Sequence, residues 1–393
     1  MTCNPAILLS SPTIEAVATT ARSAHTVILG GGPAGLASAI ALCQRGIDCL
    51  VIDALVPPID KGCGEGLMPD ALESLAALGI RLRPEHGHTF RGIRFSDSRR
   101  SVDADFPHGV GLGVRRTILH ELLMQRAEEL GVRFAWGSHV KLVDHRSLLI
   151  DGVKMHFRFL VGADGQSSTV RRWAGLNTES RGFQRSVQRL GRRVHYNVAP
   201  WSHCVEVHWG ARGQLYITPI ASDCVCVVYS GRQRCPDWNT MLEQFPAVAK
   251  HLHGAAVITQ PRGAISSTRT LQRVSHKNVA LIGDASGSVD SVTGEGLALG
   301  FRQAVALAAC IQRGDLRPYE AAHRKILRVP RQMSQSLLLM DRFPVVQRHS
   351  LRVLASAPAL FQQMLAVHLG TRSISSFVLR YGPLMSLRLV TAQ

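Results

Sequence analysis

The sequence predicts an α/β protein: a Rossmann-type unit interleaved with a mainly antiparallel β-sheet domain and followed by a helical C-terminus. Three observations predict it. A glycine cluster lies between an apolar run and a run of good helix formers at His25–Leu55. Three runs of strand length, joined by turn residues, lie between His203 and Gly231. From Leu297 onward the chain is almost entirely helical in character, with Pro318, Pro330, Pro344, Pro358 and Pro383 expected to divide it into short helices.

The bulk numbers allow this architecture. The chain has 393 residues, of which 46% are hydrophobic, enough for two or three units with a sizeable core. No apolar run is long enough to span a bilayer. The first residues carry no basic region ahead of their apolar patch and no twin arginine, which predicts a disordered extension and a cytoplasmic location. The nine cysteines include no C-x-x-C pair, and no metal site is expected. The formal charge of +17 raises the question of a nucleic-acid partner. The basic residues are dispersed and no nucleic-acid motif accompanies them, so anionic cofactors, substrates or lipid headgroups are the better match.

Taken in order, "TVIL" reads as a buried strand. Ala34 to Arg45 reads as a helix closed by Gly46, and "DCLVID" as a second strand ending on Asp53. A loop from Pro57 turns into a helix at about Pro69, where Pro-Asp suits a first turn. Short strands are expected at 90–110, a helix at 117–130, and a buried strand in "RFLVGADG". "HCVEVHWG", "GQLYITPI" and "DCVCVVYSG", joined by "GARG" and "ASD", predict a meander. Residues 240–252 read as a helix, and "HKNVALIGDAS" as a return to a buried strand.

Gly30, Gly32 and Gly35 form G-x-G-x-x-G between strand and helix, with Pro33 and Ala34 opening the helix. The first glycine makes the tight turn, the second admits a pyrophosphate to the backbone, and the third lets helix and strand pack closely. The helix N-terminus then offers free N–H groups to phosphates. Asp53, at the end of the second strand, is placed for ribose hydroxyls. This predicts a bound dinucleotide.

Two distant motifs say which one. "GADGQSSTVRRWAGL" and "ALIGDASGSVDSVTGEGL" resemble the Asp-Gly and Gly-Asp fingerprints of the para-hydroxybenzoate hydroxylase superfamily of flavoproteins. "GVRRTILHELL" resembles that family's Arg-x-x-Leu segment. The resemblance implies one non-covalent FAD, with Arg116, Asp164 and Gly165 on its binding side. It also implies that Asp284, after Gly283, bonds the ribityl chain. Gly294 and Gly296 would let the flavin ring approach, with the helix from Gly296 aimed at its N1 edge. NAD(P)H is the implied electron donor, without a second Rossmann domain.

The chemistry is less closely specified. Ser286-Gly287 stands where aromatic hydroxylases of the superfamily carry Ala-His, and "KGCGEG" (61–66) resembles a loop of the geranylgeranyl reductase branch. The resemblance implies a monooxygenase acting on an apolar or phenolic metabolite with NAD(P)H and O2. The alternative is a reductase of C=C bonds in an isoprenoid-like chain, and a third reading is a non-catalytic binding protein. Cys63 reads either as a thiol beside the flavin or as a small residue in a glycine loop. Glu65 reads either as a proton donor or as the partner of an arginine. "GQLYITP" has the Gly-to-Pro spacing of flavin-dependent halogenases, but Gln214 and Tyr216 replace both tryptophans. Alternation there puts Leu215, Ile217 and Pro219 on one face, and Tyr216 and Thr218 on the other.

From Arg342 to the end there are six arginines and no acid. Two readings stand: a helical cap with snorkelling arginines, which we prefer, and an amphipathic surface with weak peripheral contact to anionic membrane. The expected layout is a disordered extension at 1–24, and an FAD-binding domain at 25–85, 111–175 and 273–320. A substrate domain at 86–110 and 176–272 and C-terminal helices at 321–393 complete it.

Overall fold

A computed structural model describes residues 23–179, 188–232 and 237–391, with side chains to 382. The expected N-terminal extension and part of the basic stretch from Arg181 lie outside the described residues.

The apolar runs assemble into a mainly parallel sheet, with Ser275–His276 antiparallel at one edge. Its order is Ser275–His276, Val279–Leu281, Val153–Gly162, Ser23–Leu29, Cys49–Asp53 and Arg133–Trp136. Val27 pairs Leu50 on one side and Leu160 on the other, and all three are fully buried. Such central strands read as continuous apolar runs because helices cover both faces. Helices Pro33–Cys43 and Gly296–Gln312 pack together, and their Leu36, Ile40, Phe301 and Leu307 fill the same core.

The second sheet runs Ala256–Val257, Arg189–Asn197, Cys224–Gly231, Gly213–Ala221, Cys204–Trp209, Gly92–Ser96 and Ser101–Asp105. It is antiparallel except where Cys204–Trp209 meets Gly92–Ser96 in parallel. The meander is present. Arg189–Asn197 was not anticipated, because its arginines read as a charged stretch. Arg189 and Arg193 are buried in the strand, where each finds an acid partner, and Arg192 is half-buried. A small sheet of Gly66–Leu67, Gly111–Gly113 and His88–Phe90 lies between the layers.

Two expectations need correction. The helix expected at 240–252 is two, Trp238–Leu242 and Pro246–Leu252, with Pro246 opening the second. Pro330 does not end a helix: Arg317–Arg342 runs through it, as Ile374–Thr391 runs through Pro383. An interior proline costs about 3 kcal/mol. In the first helix a buried stripe of Tyr319, His323, Leu327, Ser334, Leu337 and Met340 outweighs that cost. Pro318, Pro344 and Pro358 do open helices.

The C-terminal helices pack on the second sheet. Phe361 lies 4.6 Å from Phe95, which meets Trp209 edge-on at 4.8 Å. Beyond this packed part Val345 (69% exposed) and Leu379 (84%) face outward. No helix among the described residues is long and apolar enough to cross a membrane.

Candidate active site

The two sheets and the C-terminal helices enclose a cavity of ≈ 390 Å³. One end is built from backbone. Gly30 has φ +112°, and a Cβ there would lie 2.4 Å from the Ala163 carbonyl oxygen. A Cβ on Gly35 would lie 1.8 Å from the Gly30 oxygen, so the third glycine is needed for close packing. Gly32 is different: a Cβ there would point into open space, with the Arg116 guanidinium 4.0 Å away. Helix Pro33–Cys43 starts here with no side-chain cap, so its first N–H groups are free for an anion.

Gly32, Pro33, Ala34, Arg116, Gly165 and Lys61 line this end. The Arg116 Nε is buried without a partner. Asp284, Gly283, Gly294 and Gly296 line the middle. The Asp284 side chain is exposed in the cavity and has no protein partner among the described residues. Gly283 and Gly294 adopt positive φ (+58° and +70°), and a Cβ on Gly64 or Gly296 would meet nothing within 4 Å.

Gly30, Gly35, Asp53 and Asp164 lie behind the lining. The Asp53 carboxylate accepts from the N–H of Gly31 at 2.7 Å and of Leu55 at 2.8 Å, bracing the glycine turn. The Asp164 carboxylate accepts from the Ser168 hydroxyl and the Thr169 and Val170 N–H groups, and so caps helix Thr169–Trp173. That helix carries Arg171, 1% exposed, which donates to the Ala285 carbonyl at 3.0 Å and the Gln166 carbonyl at 2.5 Å. One guanidinium thus ties the Asp-Gly motif to the Gly-Asp motif across 114 residues. Behind the second motif, His323 contacts the Ser286 hydroxyl at 2.9 Å, and burial pushes its imidazole down to about 3.

Glu65 is not a free proton donor. Its carboxylate accepts from the Arg116 N–H at 3.0 Å and from Arg193 at 2.8 Å, and it meets His195 Nε2 at 2.7 Å. Arg193 also donates to Asp60 at 2.9 and 2.8 Å. Glu65 adopts φ +60°, a conformation costing about 1–3 kcal/mol that this buried network holds in place. Glu65, His195 and Cys226 offer ligand atoms within 4.8 Å of one another. The Arg193 guanidinium already engages one oxygen of the Glu65 carboxylate and the His195 ring the other. Cys63 is half-buried at the cavity wall, its sulfur accepting from the Glu65 N–H at 3.4 Å.

The far end is apolar: Phe90, Phe95, Val205, Val207, Phe361 and Met364 line it. The expected alternation holds, with Tyr216 and Thr218 in the lining and Leu215 and Ile217 in the core on the other face. The Tyr216 hydroxyl donates to Gln214, which also accepts from buried Arg189 at 3.0 Å. No local motif marks Arg189 as the partner of Gln214, or Arg193 and His195 as partners of Glu65. His368 joins the lining from the C-terminal helices, and no local motif marked it.

FAD fits these residues. The glycine cradle is open, the unpartnered Arg116 Nε and Lys61 suit a pyrophosphate, and the free Asp284 carboxylate suits a polyol. Fold and cavity together define a flavin-dependent oxidoreductase. A family profile described as FAD binding domain matches residues 23–332, and the chain belongs to that family. It is 29% identical over 319 residues to a menaquinone reductase of Mycobacterium tuberculosis, covering 75% of this chain and 78% of that one. It is 25% identical over 324 residues to a pentachlorophenol 4-monooxygenase of Sphingobium chlorophenolicum, covering 75% and 60%. Among solved structures, a flavin-dependent brominase superposes with TM-score 0.74 at 19% identity, covering 88% of this chain and 94% of that one. The tetrameric 2-methyl-3-hydroxypyridine-5-carboxylic acid oxygenase gives 0.69 at 21%, covering 89% and 96%. At these identities the two structures show the shared fold alone.

Proposed function

We propose that the protein is an FAD-dependent monooxygenase that oxidises an apolar or phenolic small molecule, with NAD(P)H as electron donor. One observation carries the reading: a single cavity joins a glycine-and-cation end to an apolar end. Bound FAD supplies electron transfer and oxygen activation. The protein's part is placement. Gly32, Arg116 and the N-terminus of helix Pro33–Cys43 would hold the phosphates of FAD, and Asp284 would take a ribityl hydroxyl. Asp53 braces the turn that presents these groups. The phenyl and aliphatic wall takes substrate and excludes water from the reacting atoms. The Tyr216 hydroxyl, oriented through Gln214 and Arg189, offers a polar contact on that wall.

A second reading, reduction of C=C bonds in an isoprenoid-like chain, is favoured by the menaquinone reductase relatives and by the Lys61–Gly66 loop at the cavity wall. The exposed apolar and arginine-bearing part of the C-terminal helices fits weak contact with an anionic membrane.

The experiment is product analysis with phenolic and prenyl compounds, aerobically and without oxygen. Oxygen-dependent product supports the first reading, and double-bond saturation without oxygen replaces it with the second. Acid precipitation should release the yellow colour to the supernatant. Colour retained in the pellet overturns non-covalent binding.

A further inference from the structure

Glu295 sits between Gly294 and Gly296, both in the cavity lining, yet its own side chain is turned inward and is 1% exposed. Neither carboxylate oxygen has a hydrogen-bond partner. The nearest candidate is His368 Nδ1, 3.6 Å from Oε2 and also unpartnered. The His368 ring lines the cavity beside the apolar wall. At 3.6 Å the two are just beyond hydrogen-bond range, and a side-chain shift of less than an ångström joins them. A buried acid that accepts no hydrogen bond is costly as an anion and inexpensive as a neutral acid.

We propose that Glu295 and His368 form a buried acid–imidazole pair that stores one proton and delivers it into the cavity through the His368 ring. The groups facing the pair come from three elements. Asp70 of helix Pro69–Ala77 and Arg302 of helix Gly296–Gln312 form an ion pair nearby, and Thr293 lies beside both members of the pair. Burial, reinforced by the Asp70 charge, raises the Glu295 acid well above the usual carboxylate range. Burial likewise lowers His368, although Asp70 and Thr293 oppose it. Both shifts favour the neutral forms, with the proton on Glu295. In delivery the Glu295 proton passes to Nδ1 while the ring's other nitrogen gives up a proton to an atom in the cavity that has become basic. No electrons change hands. Glu295 is left ionised near Arg302, whose side chain is 33% exposed, and a proton from solvent restores it.

The proposal rests on the cavity being the site of flavin chemistry, and the test separates the two. Infrared spectra of the FAD-loaded protein in H2O and D2O should show a protonated carboxylic acid band. Glu295→Gln should remove it and His368→Asn should shift it. Reoxidation of the dithionite-reduced holoenzyme by O2, with the reduced flavin anionic, takes up one proton per flavin as hydrogen peroxide forms. In each variant it should slow by about 10²-fold and lose its pH dependence, the scale of a lost general acid. FAD content and melting temperature confirm that the near-isosteric variants fold. Absence of FAD from the wild-type protein overturns the functional reading itself. FAD present without the acid band overturns this proposal alone, as does a band whose loss leaves the reoxidation rate and its pH profile unchanged.

Discussion

Arg193→Met tests the network that holds the Lys61–Gly66 loop against the second sheet. The Arg193 side chain is 2% exposed, Glu65 1% and Asp60 19%, and every guanidinium–carboxylate contact is 2.8–2.9 Å. Removing the guanidinium leaves Glu65, at φ +60°, with only the Arg116 N–H and His195. Breaking a buried pair on one side costs about 3–5 kcal/mol, because the remaining charge is uncompensated. Arg193→Met/Glu65→Gln removes both charges, so its loss should fall short of the summed single losses by about 0.5–3 kcal/mol. The assay is urea unfolding of the FAD-loaded protein, followed by tryptophan fluorescence and by flavin release. Flavin should leave at lower urea in Arg193→Met, since the loop forms part of the cavity wall. A single-variant loss below about 0.5 kcal/mol, or an additive cycle, would refute the reasoning.

Asp284→Ala should weaken FAD binding by about 10-fold or more while leaving apo stability unchanged, because its carboxylate has no protein partner among the described residues. Asp53→Ala should lower apo stability by about 1.5–3 kcal/mol, since two backbone N–H groups lose a charged acceptor. Isothermal titration with FAD and apo-protein melting distinguish the two, and an Asp284→Ala protein that melts early refutes the assignment. His323 has its folded pKa lowered to about 3, so the stability it contributes is full above the unfolded value. That stability is lost by about 1.4 kcal/mol per unit as pH falls below about 6.5. His323→Gln should flatten that part of the stability–pH curve, and an unchanged slope refutes it. Sedimentation with anionic liposomes should be weak and salt-sensitive, each arginine adding about 1 kcal/mol at most. Binding that survives high salt refutes the cap reading of the C-terminal helices.

The sequence alone determined the features whose causes are local. Strand, glycine turn and helix follow one another within a single βαβ unit, so the spacing of Gly30, Gly32 and Gly35 could be interpreted without knowing the fold. The same holds for Asp284 at a strand end and for the meander, whose turns and alternation lie within a few residues. The tertiary structure decided what depends on distant partners. Glu65 became an arginine's acceptor because Arg193 lies on a strand 128 residues later. The basic stretch containing Arg189 and Arg193 became that buried strand because Cys224–Gly231 offered it a sheet edge. Pro330 stayed inside a helix because a buried stripe outweighed its local cost. Glu295 and His368 met only when the last helices closed over the cavity, since burial and pairing depend on which surfaces are brought together.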